Sequence, residues 1–197
     1  VTTPPRFIKI IDEFTPPEFY KTVRSLIYGV DFTEYEFAGK TYLGVAGLTL
    51  PIKKHIERHM GKEVEFTMSH VRMGNENTPL TNYIHADNAA CKYACVWYLN
   101  EPECETGTQF WLHNETNMDR MPWPPPKDLW DAVDKDTRDE DKWTKLEYAE
   151  AKANRAVLFD SQLFHSRYPK DLPLTAEMEP RIVCVVFFNI KGESIND

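Results

Sequence analysis

From residue 62 onward the chain is a succession of short runs rich in β-branched and aromatic residues. They read VEFTMSHVRM, NYIHAD, KYACVWYLN, TQFWLH, RAVLFD and PRIVCVVFFNI, separated by Gly, Pro, Asn and Asp. Runs of this length with turn residues between them prescribe strands. A series of such strands, with no repeat, prescribes a closed or two-sheet β architecture. The first 61 residues differ. FIKIIDEF reads as an opening strand, and a helix start follows, with Thr15 as N-cap, Pro16 at the first helical position and Glu18 completing a capping box. Phe14 is placed to staple onto Phe19, and Phe19, Val23, Leu26 and Ile27 share a face at helical spacing. A second helix is expected from about Pro51 to Met60, between Thr49 and Gly61. The expected fold is mostly β with supporting helices (α+β). Residues 1–61 supply strand and helices, and 62–197 a jelly-roll core of double-stranded β-helix type.

One stretch breaks the series. Residues 115–153 contain MPWPPPKDLW, a charged run and the helix-compatible TKLEYAEAKA. An insertion of that length between strands is most often a lid or binding loop. Its tryptophans Trp123, Trp130 and Trp143 are read chiefly as packing residues, the other use being an aromatic substrate wall.

The length of 197 residues suits one domain with a substantial core. No segment approaches the roughly 20 consecutive apolar residues of a membrane span. VTTPPRFIKI lacks the pattern of a secretory signal, and Cys91, Cys95, Cys104 and Cys184 are too few for a disulfide scaffold. A soluble, cytoplasmic protein is the expectation. With 31 acidic against 23 basic residues the net charge is −8, which disfavours nucleic acid as a partner.

The chemistry is carried by TNYIHADNAA. On a strand, residues two apart point to the same face, so His85 and Asp87 present an imidazole and a carboxylate to one point. A catalytic metal needs a third protein ligand, and His165 is the best candidate, at the end of the apolar run in NRAVLFDSQLFH. Two histidines and one carboxylate make the facial triad of non-haem iron oxygenases, although zinc hydrolases use the same ligand types. Past His165 lies PRIVCVVFFNI, whose one charge is Arg181. A guanidinium at the head of such a strand needs an anionic partner, and its fork suits a carboxylate.

The order HADN, VWYLNEPECETGTQF, NRAVLFDSQLFHS, PRIVCVVFFN resembles the 2-oxoglutarate- and Fe(II)-dependent dioxygenases, and within them the prolyl-4-hydroxylase-like branch. The likeness spans roughly Phe66 to Ile190, and FIKIIDEFTPPEF resembles that branch's opening strand and helix. The resemblance implies His85, Asp87 and His165 as iron ligands and Arg181 as anchor of the distal carboxylate of 2-oxoglutarate. It matches Tyr98 to a tyrosine that hydrogen-bonds the same carboxylate. It implies Fe(II), 2-oxoglutarate and O2 as cofactor and co-substrates, with ascorbate as a reductant. The reaction implied is hydroxylation of a peptide side chain or small molecule, with release of succinate and CO2.

Three departures touch the substrate pocket more than the chemistry. SRYPKDLPLTAEME lengthens the interval from His165 to Arg181. Met73 stands near where relatives carry a tyrosine, and Thr106 replaces the first glycine of a pair.

Other readings stand beside these. Arg167, on the same strand face as His165, is the rival clamp, and Glu179 is a salt-bridge partner for Arg181 if that residue is structural. His55 and His59, in HIERH, lack a glutamate placed as HExxH requires and read as a solvated helix face. His70 and His113 read as structural or surface residues, and Cys91 and Cys95 as small core residues sharing a strand face. A non-catalytic metal-binding jelly roll is the alternative to an enzyme. A zinc-dependent hydrolase comes third, since it gains nothing from a carboxylate clamp.

Overall fold

Strand alternation decides which face each element buries. The computed structural model describes residues 5–37, 40–46, 50–74, 83–87, 91–100, 106–169 and 181–193. The chain runs through β1 (Ile8–Ile11), α1 (Pro17–Tyr28), β2 (Thr33–Phe37), β3 (Lys40–Ala46), α2 (Lys53–Met60), β4 (Val64–Gly74), β5 (Tyr93–Tyr98) and β6 (Gly107–His113). It continues through α3 (Lys127–Asp134), a 3-10 turn (Glu140–Lys142), β7 (Trp143–Glu150), β8 (Ala156–Asp160), β9 (His165–Tyr168) and β10 (Arg181–Ile190).

One sheet has the order β1-β8-β5-β10-β4-β3-β2 and the other β7-β6-β9. The named strand pairs are antiparallel. This is the expected jelly-roll arrangement of two facing sheets. β10 is apolar on both faces because both are covered. Ile182, Cys184, Val186 and Phe188 enter a core shared with α1 and α2, and Val183, Val185 and Phe187 enter the core between the sheets.

The order of elements departs from helices first, strands later. A hairpin, β2 and β3, separates the two helices and extends the large sheet. The start of α1 is also corrected. Pro16 occupies the N-cap position, no side chain caps the helix, and Glu18 pairs with Lys21. Thr15 is buried instead, where its hydroxyl donates to Asn154 Oδ1 at 2.9 Å. The same oxygen accepts from Trp97 Nε1 at 3.1 Å, and Asn154 Nδ2 donates to the Thr15 carbonyl at 2.7 Å. Asn154 has φ 59°, a conformation asparagine tolerates. One amide thereby ties the N-terminal segment to the sheet core. At the other helix, Gly61 ends α2 in the left-handed conformation, as expected.

The interrupting stretch is part insertion and part sheet. TKLEYAEAKA does not form a helix: residues 143–150 are β7, paired to β6. Trp143, Leu146 and Ala149 are its least exposed positions, at a spacing of three that mimics a helix, but Trp143 packs under the insertion and the other two lie between the sheets. Simple alternation accounts for Trp143 and Leu146 lying on opposite faces, and the register for the second interval. Gln109 faces Tyr148 and Trp111 faces Lys145, so β7 spends three residues where β6 spends two. That extra residue is a β-bulge, and it carries Leu146 and Ala149 to the same side.

The rest of the insertion is pinned down. Buried His113 binds Asp136 Oδ2 through Nε2 and Thr116 Oγ1 through Nδ1, both at 3.0 Å, and Trp143 Nε1 donates to the Asp136 carbonyl at 2.8 Å. His113 is therefore structural, as expected. Trp143 packs, but Trp123 and Trp130 are each 44% exposed.

Cys91 and Cys95 are buried but do not share a strand face. Cys91 precedes β5 and lies between the sheets, whereas Cys95 lies on the helix side. Burial, with the Asp87 charge adding to it, pushes the Cys91 thiol up to about 12. Thr49, Cys104, Glu179 and most of the loop after Tyr168 lie outside the described residues. Among the described residues no helix is long and apolar enough to cross a membrane.

Candidate metal centre

The three expected ligands converge. One ligand atom from each of His85, Asp87 and His165 lies within 4.8 Å of the others. His85 Nε2 is 3.5 Å from Asp87 Oδ1, and His165 Nε2 is 3.3 Å from Asp87 Oδ2. Ligands about 2.1 Å from one ion and at right angles to each other sit roughly 3 Å apart, close to these spacings.

The backbone sets this meeting. His85 and His165 form an isolated antiparallel bridge, and the Asp87 N–H donates to the Ser161 carbonyl at 2.9 Å. A short extended segment thus lies against the turn before β9 and holds both residues of the HxD on one side.

The ring orientations matter more than the distances. His85 Nδ1 lies 3.0 Å from the Tyr83 carbonyl, and His165 Nδ1 lies 2.8 Å from the Leu163 carbonyl. A carbonyl only accepts, so each Nδ1 carries a hydrogen, and Nε2 is the nitrogen turned toward Asp87. Partners at Nδ1 orient the rings so that Nε2, on giving up its proton, is the atom offered to a metal. Burial by itself would raise the Asp87 carboxyl, but the neighbouring His165 and His85 overcome it and hold the group well below the usual carboxylate range. For His165, burial opposes the charged form, and the Asp87 charge and hydrogen bond outweigh it, raising the imidazole. The donor set is two imidazole nitrogens and a carboxylate, with an apolar wall behind it. Phe159 stands edge-on to His165 with centroids 4.8 Å apart, and Phe110 is 6.2 Å away.

A second polar cluster lies at the head of β10. Arg181 Nε donates to Thr106 Oγ1 at 3.2 Å, and its guanidinium lies 5.7 Å from the centre of the Tyr98 ring. The buried Tyr98 hydroxyl is 2.7 Å from Thr108 Oγ1. Arg181 and Tyr98 are thus brought together, with threonines 106 and 108 as the contacts that the sequence pattern did not assign. The rival, Arg167, follows His165 on β9 opposite Thr108 and faces the same side as His165 by strand alternation.

Two other expectations change. Met73 packs into the helix-side core with Val71, so β4 turns His70 and Arg72, not Met73, toward the inter-sheet side. Burial first, then the Arg72 charge, hold the His70 imidazole down at about 4, opposed by Asp87. The signal was legible as alternation along SHVRM. His55 and His59 are half-buried rather than solvated, with rings 6.0 and 5.6 Å from Phe14. Gly107 persists for a packing reason, since a Cβ there would sit 2.3 Å from the Ala149 carbonyl of β7.

Residues 49–171 match the family described as "Family of unknown function (DUF6445)". No curated protein matches the chain significantly. Solved structures do. SnoK, a non-heme alpha ketoglutarate dependent carbocyclase from nogalamycin biosynthesis, is similar at TM-score 0.61 and 10% identity over 93% of this chain and 79% of that one. HygX from Streptomyces hygroscopicus, with nickel and 2-oxoglutarate bound, is similar at TM-score 0.55 and 9% identity over 95% of this chain and 84% of that one. EvdO2 from Micromonospora carbonacea var. aurantiaca, complexed with 2-oxoglutarate, is similar at TM-score 0.56 and 17% identity over 93% of this chain and 86% of that one. At these identities the likeness is one of fold.

Proposed function

The chain belongs to the family of unknown function DUF6445, and we propose that it is an Fe(II)- and 2-oxoglutarate-dependent oxygenase acting on a peptide side chain or a small molecule. The observation that carries this reading is the His85–Asp87–His165 cluster, with each Nδ1 held by a carbonyl and each Nε2 turned inward toward Asp87. That donor set suits iron of the facial-triad type, and the solved neighbours named above with 2-oxoglutarate bound support the co-substrate. Membership of the prolyl-4-hydroxylase-like branch rests on the motif order HADN, TGTQF, FHS and PRIVCVVFFN.

His85, Asp87 and His165 would hold the metal, and three protein ligands would leave room for co-substrate and O2. Bound iron supplies the oxidising chemistry, coupling decarboxylation of 2-oxoglutarate to succinate and CO2 with hydroxylation of the prime substrate. The protein's part is placement and dryness. Arg181 takes the distal carboxylate through its two terminal nitrogens, because its Nε is occupied by Thr106. The Tyr98 ring lies against the guanidinium, and its hydroxyl, held by Thr108, contributes a polar group to the same cluster. Phe110 and Phe159 exclude water beside His165. Ascorbate is the expected reductant for metal oxidised off-cycle.

The test is an anaerobic titration of Fe(II)-loaded protein with 2-oxoglutarate, read at the visible charge-transfer band of the chelate. A saturating band is expected. Iron binding without a band returns the protein to a non-catalytic metal-binding jelly roll, and failure to bind iron removes the reading at its base.

A further inference from the structure

A shallow, half-open cleft lies beside His85, walled by Tyr83, Met121, Phe164 and the α3 residues Trp130 and Asp134. Of the triad, only His85 borders it, so a ligand there lies next to the metal side rather than on it. Trp130, Val133 and Asp134 all border the cleft, at helical positions i, i+3 and i+4. Val133 is buried, but Trp130 is 44% exposed although its neighbour in the insertion, Trp143, is packed to 5%. An indole left open on an otherwise pinned segment presents a π face to whatever enters.

Asp134 presents a charge. Among the described residues its carboxylate has no ion pair, although two lysines belong to or adjoin the same helix. Lys127 is paired with Asp131, and Lys135 with Glu115 at 2.7 Å. Thr137 donates to the Asp134 backbone carbonyl and leaves the carboxylate unengaged. The cleft therefore combines apolar walls, an open aromatic face and one uncompensated anion. Ligand sites of this build fix an apolar body with a few placed polar groups, and an aromatic face beside a carboxylate selects a cation.

Resting on the oxygenase reading above, we propose that this cleft recognises an amine-bearing prime substrate, with its ammonium at Asp134 and its apolar or aromatic body against Trp130, Met121 and Phe164. The substrate class is thereby an organic amine. An anionic or uncharged molecule of the same shape leaves Asp134 without a counter-ion.

The test compares 2-phenylethylamine with 2-phenylethanol, each titrated into the purified full chain without added metal or co-substrate, by calorimetry or NMR. The amine is expected to bind about two- to fivefold tighter than the alcohol, as an ion pair at an exposed carboxylate provides. Asp134→Asn should abolish that preference while leaving the alcohol's affinity unchanged, and Trp130→Ala should weaken both probes. Equal affinities, no saturable binding, or a preference retained in D134N overturns the proposal. Asp134 is exposed on α3, so D134N decides the matter even where W130A melts early. The iron and 2-oxoglutarate titration on the same preparation separates the two readings. A chelate band without amine preference fails the cleft alone, and amine preference without a band fails the oxygenase.

Discussion

His85 and His165 exchange both of their backbone hydrogen bonds, the His85 N–H to the His165 carbonyl at 3.0 Å and the His165 N–H to the His85 carbonyl at 2.8 Å. Two residues eighty positions apart in the chain are thus held by their main chains, with ring centroids 4.6 Å apart. The ligand pair is a property of the scaffold, because main-chain atoms hold the two residues side by side.

That arrangement makes His165→Ala informative. Its loss should abolish iron retention and turnover while leaving the fold in place, because the bridge is made by main-chain atoms. Iron stoichiometry measured beside circular dichroism checks both halves. Since changing mere supporting partners of a ligand costs about 10–100-fold in metal affinity, loss of a ligand should exceed that range. Iron retained in the variant would remove His165 from the site.

Arg181→Ala should raise the half-saturating 2-oxoglutarate concentration by about 10–100-fold, the worth of charge-assisted hydrogen bonds. Thr106→Val keeps the shape but removes the acceptor for Arg181 Nε, and a smaller rise of several-fold is expected as the guanidinium loses its orientation. Titration of 2-oxoglutarate against the chelate band measures both. If R181A leaves the requirement unchanged, the clamp passes to Arg167.

Gly107→Ala should destabilise the fold without touching a ligand. The added Cβ would meet the Ala149 carbonyl at 2.3 Å and the Tyr148 ring at 2.6 Å, and neither strand can retreat without breaking its ladder. A cost of about 1–3 kcal/mol is expected, read as a lowered denaturant midpoint. An unchanged midpoint would mean that β6 and β7 are not packed this closely. The contrast with Thr106 is instructive: one residue earlier the chain tolerates a hydroxyl-bearing side chain because it has a use for it.

Acid should weaken the α2 side of the molecule. Burial first, then the Arg58 charge, hold His55 and His59 below their ordinary value of 6.5. The folded state therefore prefers both rings neutral, while the unfolded chain takes up protons at the ordinary value. Their contribution is complete above 6.5 and is lost as pH falls through their lower folded values. Urea midpoints should drop between about pH 7.5 and about pH 5, and less so in a His55→Gln, His59→Gln variant. His70, held at about 4, contributes with the same sign in both proteins. Equal slopes would place the two α2 rings in water after all.

The strands that carry the site were legible because period-2 patterning and turn residues are local. RAVLFD, KYACVWYLN and PRIVCVVFFNI announce themselves, and β8, β5 and β10 form where they predict. TKLEYAEAKA did not, because the spacing of three between Leu146 and Ala149 comes from a β-bulge that exists only in the pairing of β7 with β6. The N-cap at Thr15 failed for a like reason. Asn154 offers that hydroxyl a buried partner from the far end of the chain, and a long-range contact outweighs a local cap.

By itself the sequence determined the chemistry on offer: which residues carry imidazole, carboxylate and guanidinium, and on which strands they alternate inward. Only the tertiary structure decided how they meet. It set the His85–His165 bridge, oriented the imidazoles by giving each Nδ1 a carbonyl, and aimed Arg181 by way of Thr106. It also laid Trp130 and Asp134 along the cleft beside His85. Strand faces follow from covalent geometry and neighbouring side chains, so sequence specifies them. Convergence of groups eighty residues apart depends on sheet register and loop packing, which are summed over the whole chain and written in no single stretch of it.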